Sequence, residues 1–220
     1  MISRRLKALY YFLFSYLMLL NSKFYKIFRS PKSGMVKVQL GPGKKNYLNG
    51  WINVDANIFT AKIDVWSDIK HPLPFKDDIV DVFYSHHVIE HLPNIHKIFH
   101  EMYRCLKKNS FIRIGGPHGD NAIKKFTEND LKWFSDLPEK RQSIGGKLDN
   151  YLLCKNEHLA ILTKSYLIEL ASNAGFKNMK FCIPTKQTFH PELIDQQIFG
   201  KEYETDLENP HTIIMEAEKL

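Results

Sequence analysis

A chain of 220 residues that is 44% hydrophobic can bury one substantial core, which predicts one globular domain, or one domain with an appendage. Its net charge of +7 draws polyanions whatever the fold, and does not choose between nucleic acid, a membrane surface and an anionic substrate. The 3 cysteines, Cys105, Cys154 and Cys182, are far apart and lack any CxxC spacing, which argues against a disulfide framework and a zinc cage and fits a reducing, cytoplasmic setting.

Residues 1–30 differ from the rest. Arg4, Arg5 and Lys7 precede an uncharged run of 13 residues, Ala8 to Leu20 (ALYYFLFSYLMLL), and Lys23, Lys26 and Arg29 follow among Phe24, Ile27 and Phe28. A secretory signal shares the basic start, but the bulky residues that follow leave no small-x-small cleavage site. A spanning helix needs about 20 apolar residues to cross about 30 Å of hydrocarbon, and this run reaches only about 20 Å. Two readings stay open. One is an aromatic-rich helix lying peripherally at the inner face of the membrane, its basic flanks drawn to anionic lipid. The other is a hydrophobic helix packed on its own domain or on a second subunit.

After Pro31 short β-branched runs alternate with helical patterns, the signature of an α/β domain with a mostly parallel sheet. The expected strands are Val36 to Leu40, Trp51 to Val54, Lys62 to Val65, Val80 to Ser85, Phe111 to Ile114, Met179 to Ile183 and Thr212 to Ala217. Between the fourth and fifth, Ile95, Ile98, Phe99, Met102 and Leu106 recur at helical spacing and predict a crossover helix. A second helix is expected from Thr163 as N-cap to Gly175 as C-cap, burying Leu167, Leu170, Ala171 and Ala174. The domain therefore runs over 31–220, with 118–162 inserted as a lid or substrate platform in which Trp133 and Phe134 stand among lysines. Those two rings turned inward beneath a solvated helical face is the plainer alternative. Lys186 to Pro210 reads as a second, loop-like flap.

Ligands of an open parallel sheet bind beyond the carboxyl ends of its strands. There this sequence places Gly41, Pro42 and Gly43; then Asp55; then Asp68; then His86, His87, Glu90 and His91; then Pro117, His118 and Asp120. The first turn resembles a dinucleotide fingerprint, but Asn46 stands where the third glycine belongs. Gly41 to Trp51 is also too short a link for a full helix that would hold a pyrophosphate. The glycines still allow close backbone approach, and Asp55 can accept two hydrogen bonds from a ribose diol. That describes a nucleoside without phosphates, unless the stretch is an ordinary tight turn followed by a solvated aspartate.

The segments VQLGPGKKNYLNGWINVD, SDIKHPLPFKDDIVDVFYSHHVIEHLP, IFHEMYRCLKKNSFIRIGGP and LTKSYLIELASNAGF resemble, in order, the motifs of class I S-adenosylmethionine-dependent methyltransferases. They are most similar to the small bacterial type associated with surface-polysaccharide biosynthesis, over roughly residues 36–183. The resemblance implies a Rossmann-like α/β fold: a seven-stranded, mostly parallel sheet with the last strand antiparallel, here carrying an N-terminal hydrophobic helix. It implies S-adenosyl-L-methionine as cofactor, with Gly41 and Gly43 against its methionine and ribose portion. Asp55 would bind the ribose hydroxyls, Asp68 and the Ile69 backbone the adenine, and the turn at His86 and His87 would border the methionine end. Two departures stand out: Asn109-Ser110 replaces a glycine pair, and Pro42 removes an N–H donor from the first turn.

His87, Glu90 and His91 also spell H-x-x-E-H, in which two histidines on one helical turn hold zinc and the glutamate acts as base. Here the letters straddle a strand end, Pro93 follows, and a third ligand would have to come from Glu157 or Glu169. A zinc hydrolase is therefore disfavoured, no metal is expected, and Glu90 and His91 read as structural. For transfer to a hydroxyl a general base adds roughly 10²–10⁴ in rate, and the candidates are His118, then His86 or His87. The expected acceptor is a small molecule or a glycan, in particular a sugar or lipid-linked glycan hydroxyl. Nucleic acid is the weaker enzymatic alternative, because no N/D-P-P-Y/F-type tetrad follows the fourth strand, and a membrane-associated binding module on a degenerate fold is the non-enzymatic one. The oligomeric state stays open.

Overall fold

In the computed structural model, which describes residues 4–220, seven strands make one sheet: β1 (Lys37–Leu40), β2 (Ile52–Asp55), β3 (Val65–Trp66), β4 (Val80–His86), β5 (Leu106–Pro117), β6 (Lys177–Cys182) and β7 (Thr212–Lys219). Their spatial order is β3-β2-β1-β4-β5-β7-β6. Only β7 runs antiparallel to its neighbours, as the resemblance implies. From β1 the chain winds outward to β3, then returns to lay β4 on the other side of β1. That reversal opens the crevice in which ligands of such sheets bind.

Burial explains why these runs are strands. In β4, Val80, Val82, Phe83, Tyr84 and Ser85 are all buried, because helices or loops cover both faces. The crossover helix α2 (Ile95–Cys105) buries Ile95, Ile98, Phe99, Met102 and Cys105 on a single stripe. In α5 (Lys164–Ala174), Thr163 caps the start by accepting from the Tyr166 N–H, and Gly175 closes it at φ +106°. The β1–β2 link makes no regular helix. Asn53 holds it instead, accepting from the Leu48 N–H at 3.0 Å and donating to the Leu48 and Trp51 carbonyls at 3.0 and 2.9 Å.

Several elements depart from expectation. The third strand is Val65–Trp66 rather than Lys62 to Val65, because Asn57 accepts from the N–H groups of Phe59 and Thr60 and turns the chain until Asp64 reaches β2. The fifth spans Leu106–Pro117, since it pairs with β4 on one side and with β7 over its last eight residues on the other. The flap 186–210 contains a helix, α6 (Gln196–Glu202), capped by Asp195 and anchored by buried Ile198. The insertion is built of α3 (Gly119–Thr127) and α4 (Ile144–Leu153). Trp133 and Phe134 are buried there with Ala122 and Tyr151, so neither ring is free to stack on bases, and the aromatic half of the nucleic-acid alternative is withdrawn.

Residues 1–3 of the N-terminal segment, and the side chains of Arg4, Arg5 and Lys7 in its basic flank, lie outside the described residues. The rest forms α1 (Arg4–Phe24) and a π-helical turn, Tyr25–Arg29. No described helix is long and apolar enough to cross a membrane. One face of α1 packs on the edge of the sheet. Met18 and Ser22 are buried, the Tyr10 hydroxyl donates to the Ala56 carbonyl at 2.5 Å, and Asn21 donates to the Trp66 carbonyl at 2.7 Å. Ser15 meets His71 at 2.8 Å and Ser22 meets Ser67 at 2.7 Å. The opposite face leaves Phe12 83% and Tyr16 68% exposed, with Leu17, Leu20 and Phe24 also in solvent.

Candidate active site

Beyond the carboxyl ends of β1, β2 and β4, and beneath α1, lies a cavity of about 730 Å³, within the range of small-molecule and cofactor sites. Its floor is Gly41, Val54, Asp55, Asp68 and Ile69, its far wall His87, Val88 and His91, and its roof the inner face of α1. A second cavity adjoins it at the β1 turn, bordered by Gly41, Gly43, Lys44, Lys45, His86, His87 and Lys201.

Gly41 follows β1 at φ +70°, and a Cβ there would meet the Val88 Cγ2 atom at 2.4 Å. Only glycine lets the first turn lie this close to the β4 turn. Gly43, at φ +54° with open space around it, donates its N–H to the Asp55 carboxylate at 3.0 Å, and the Asn57 N–H donates to the other oxygen at 2.9 Å. Burial raises the Asp55 pKa, opposed by those two bonds. Asp68 is buried and accepts from the Lys70 N–H at 3.0 Å. Two acids at successive strand ends beside glycine backbone suit a nucleoside: one for its diol, one for the polar edge of its base.

At the end of β4, burial and the neighbouring His87 push the His86 pKa well below its ordinary value, so this imidazole is neutral at physiological pH. Its Nδ1 is buried without a hydrogen-bond partner among the described residues. His87 stands at φ +54°, a conformation uncommon outside glycine. Its imidazole is 44% exposed and lies 3.4 Å from Glu90 and 3.2 Å from the Thr212 hydroxyl. His118 borders neither cavity. It caps α3 by accepting the Asn121 N–H on Nδ1 at 3.2 Å, and burial lowers its pKa to about 4.

Of the expected cofactor residues, the structure gathers Gly41, Asp55, Asp68 and Ile69 around the larger cavity, and Gly43 and His86 around the smaller, with Gly41 and His87 common to both. Sequence reasoning missed Tyr10, Tyr11 and Phe14, which face the larger cavity from α1. A signal for them was present. Ser15, Asn21 and Ser22 interrupt the apolar segment on one side of the helix, where polar groups mark a face turned to protein rather than to lipid.

A family model described as a methyltransferase domain matches residues 53–114. Over 157 residues the chain is 30% identical to a protein of Methanocaldococcus jannaschii described as uncharacterized, covering 68% of this chain and 67% of that one. Among solved structures it resembles a Thermotoga maritima S-adenosylmethionine-dependent methyltransferase, a "possible histamine N-methyltransferase" (TM-score 0.54, 16% identity, 99% of this chain and 96% of that one). It also resembles an S-adenosylmethionine-dependent methyltransferase from Archaeoglobus fulgidus (TM-score 0.52, 18% identity, 96% of this chain and 100% of that one). At these identities the likeness to solved structures is one of fold.

Proposed function

The chain belongs to the class I S-adenosylmethionine-dependent methyltransferases, and on that premise we propose that it methylates a sugar hydroxyl of a lipid-linked glycan at the inner membrane surface. S-adenosylmethionine is its cofactor, and when bound it supplies a methyl group already activated on a sulfonium. In this proposal Gly41 and Gly43 lie against it, Asp55 takes the ribose hydroxyls, and Asp68 with Ile69 takes the adenine. The chain's main work is to hold two reactants in line, which can contribute about 7–11 kcal/mol. Proton removal from the acceptor falls to His86 or His87, because both border the smaller cavity whereas His118 borders neither and serves as a helix cap.

The observation that carries this reading is the two-sidedness of α1. Its inner face roofs the cofactor cavity, while its outer face exposes Phe12, Tyr16, Leu17, Leu20 and Phe24 to solvent. Such a face suits the boundary between headgroups and acyl chains. A cavity directly beneath it would meet acceptors carried on lipid, and Lys44, Lys45 and Lys201 around the smaller cavity suit the phosphates that join a glycan to its lipid.

Co-sedimentation with vesicles of phosphatidylethanolamine and phosphatidylglycerol tests this. The full chain should pellet with the vesicles, and a Phe12→Ser/Tyr16→Ser variant should remain largely in the supernatant while binding S-adenosylhomocysteine as before. A full chain that stays soluble at every lipid concentration would remove the membrane-borne acceptor and leave a soluble sugar in its place.

A further inference from the structure

We propose that Glu90, His91 and His158 form a binding site for a divalent transition-metal cation, zinc being the best match, which clamps the insertion onto the turn after β4. One ligand atom from each of the three residues lies within 4.8 Å of the others. The two imidazole rings sit 4.8 Å apart between centroids.

Three features set this group apart from a chance cluster. Glu90 is 0% exposed, and neither carboxylate oxygen has a hydrogen-bond partner among the described residues; its nearest imidazole nitrogens are the His87 Nδ1 at 3.4 Å and the His91 Nε2 at 3.8 Å, and a buried carboxylate with only imidazoles beside it is costly unless a cation reaches it. The His91 Nδ1 bonds the Glu157 carbonyl at 2.9 Å, and the His158 Nδ1 bonds the Leu152 carbonyl at 2.9 Å. A carbonyl only accepts, so each Nδ1 carries a proton and, in the neutral ring, the lone pair lies on Nε2, the tautomer that metal-ligating histidines adopt when their second nitrogen is held this way. Lastly, the His91 Nε2 stands 3.8 Å from the nearer Glu90 oxygen. That is too long for a hydrogen bond, but two ligands on a tetrahedral zinc lie about 3.3 Å apart, so this pair needs about 0.5 Å of contraction, and the other ligand atoms, all within 4.8 Å of one another, need about 1.5 Å at most.

The group is not the one that H-x-x-E-H spells. In that pattern His87 and His91 are the ligands and Glu90 is the base. Here His87 sits outside the group with its Nε2 at the Thr212 hydroxyl, Glu90 is itself a ligand, and the third ligand comes from the insertion as His158 rather than from Glu157 or Glu169. The two segments already meet, since the Leu159 and Ala160 N–H groups both reach the Glu90 carbonyl at 2.7 and 3.2 Å. Three protein ligands leave a coordination position open, as in catalytic rather than closed structural zinc sites. His91 and Glu157 both border the larger cavity, so that position is within reach of water or an acceptor hydroxyl.

The test uses the full chain stripped with a chelator and titrated with zinc sulfate, followed by calorimetry and by thermal melting. One zinc ion per chain should bind at micromolar concentration or below and raise the melting temperature. His158→Ala should weaken binding by about 100-fold or more and abolish the thermal shift, with circular dichroism and S-adenosylhomocysteine binding unchanged; Glu90→Gln, which keeps the buried volume, should weaken it in the same direction. A wild-type chain that takes up no zinc, or a His158→Ala chain that binds it equally well, overturns the assignment and leaves Glu90 as an ion-pair partner of His87 and His91.

Discussion

Replacing Gly41 by alanine probes how the larger cavity is shaped, because two separable penalties meet at that residue. Its φ of +70° is left-handed, and a Cβ would stand 2.4 Å from one methyl of Val88 and 2.9 Å from the other. The backbone conformation alone costs an L-residue about 1–2 kcal/mol, and forcing Val88 aside adds about 1–3 kcal/mol, so Gly41→Ala should lose about 2–5 kcal/mol of stability. Gly43 supplies the control: its φ is +54°, but nothing lies within 4 Å of its Cβ position. Gly43→Ala should therefore lose only the backbone share, about 1–2 kcal/mol. Urea unfolding of both variants, of Val88→Ala and of Gly41→Ala/Val88→Ala gives a double-mutant cycle. Removing the Val88 methyls should relieve the steric share and leave the backbone share, a coupling of about 1–3 kcal/mol. Strictly additive losses, or equal losses at Gly41 and Gly43, would refute the claim that the β1 turn lies against the β4 turn.

Arg113 is fully buried and donates to Glu202 at 2.6 and 2.9 Å and to Glu216 at 2.5 Å, joining β5, α6 and β7. Arg113→Met leaves two buried carboxylates uncompensated and should cost about 3–5 kcal/mol by urea unfolding. His118, held at about pKa 4 by burial, makes stability pH-dependent. Above pH 6.5 it is neutral whether folded or unfolded and contributes no slope. Below that the unfolded chain takes up the proton first, so stability falls by about 1.4 kcal/mol per pH unit until about pH 4, roughly 3 kcal/mol in all, and then levels. His118→Asn keeps a capping acceptor and should flatten that acid-side slope; an unchanged slope would show that other groups carry it.

The sheet was largely legible because β-branched runs bounded by turn residues answer to local chemistry. The positions of Asp55 and Asp68 at the larger cavity were legible for a related reason: each closes a strand or follows one, and ligands of parallel sheets bind beyond the strand ends. What could not be read locally depends on distant partners. Lys62 to Val65 has strand composition, but the Asn57 turn and the pairing of Val54 with Val65 decide where β3 begins. Trp133 and Phe134 allowed two readings, a substrate platform among lysines or rings turned inward, and the bond of the Trp133 indole N–H to the distant Asn209 carbonyl at 2.7 Å decides for the second. His118 looked like a strand-end base, and its capping of α3 appears only when the helix is in view. His158 joins Glu90 and His91 from far along the chain, and no spacing announces it.

The central claim is that the cavity beneath α1 holds S-adenosylmethionine with Asp55 on its ribose. Calorimetry with S-adenosylhomocysteine tests it most directly, comparing the wild-type chain with Asp55→Asn, which retains shape and one acceptor but removes the charge. Hydrogen bonds to a charged group contribute about 1.5–3 kcal/mol, so binding should weaken roughly 10- to 150-fold; the melting temperature without ligand should fall as well, because the amide leaves one of the Gly43 and Asn57 N–H groups without its acceptor. Equal affinity in the two proteins would contradict the account.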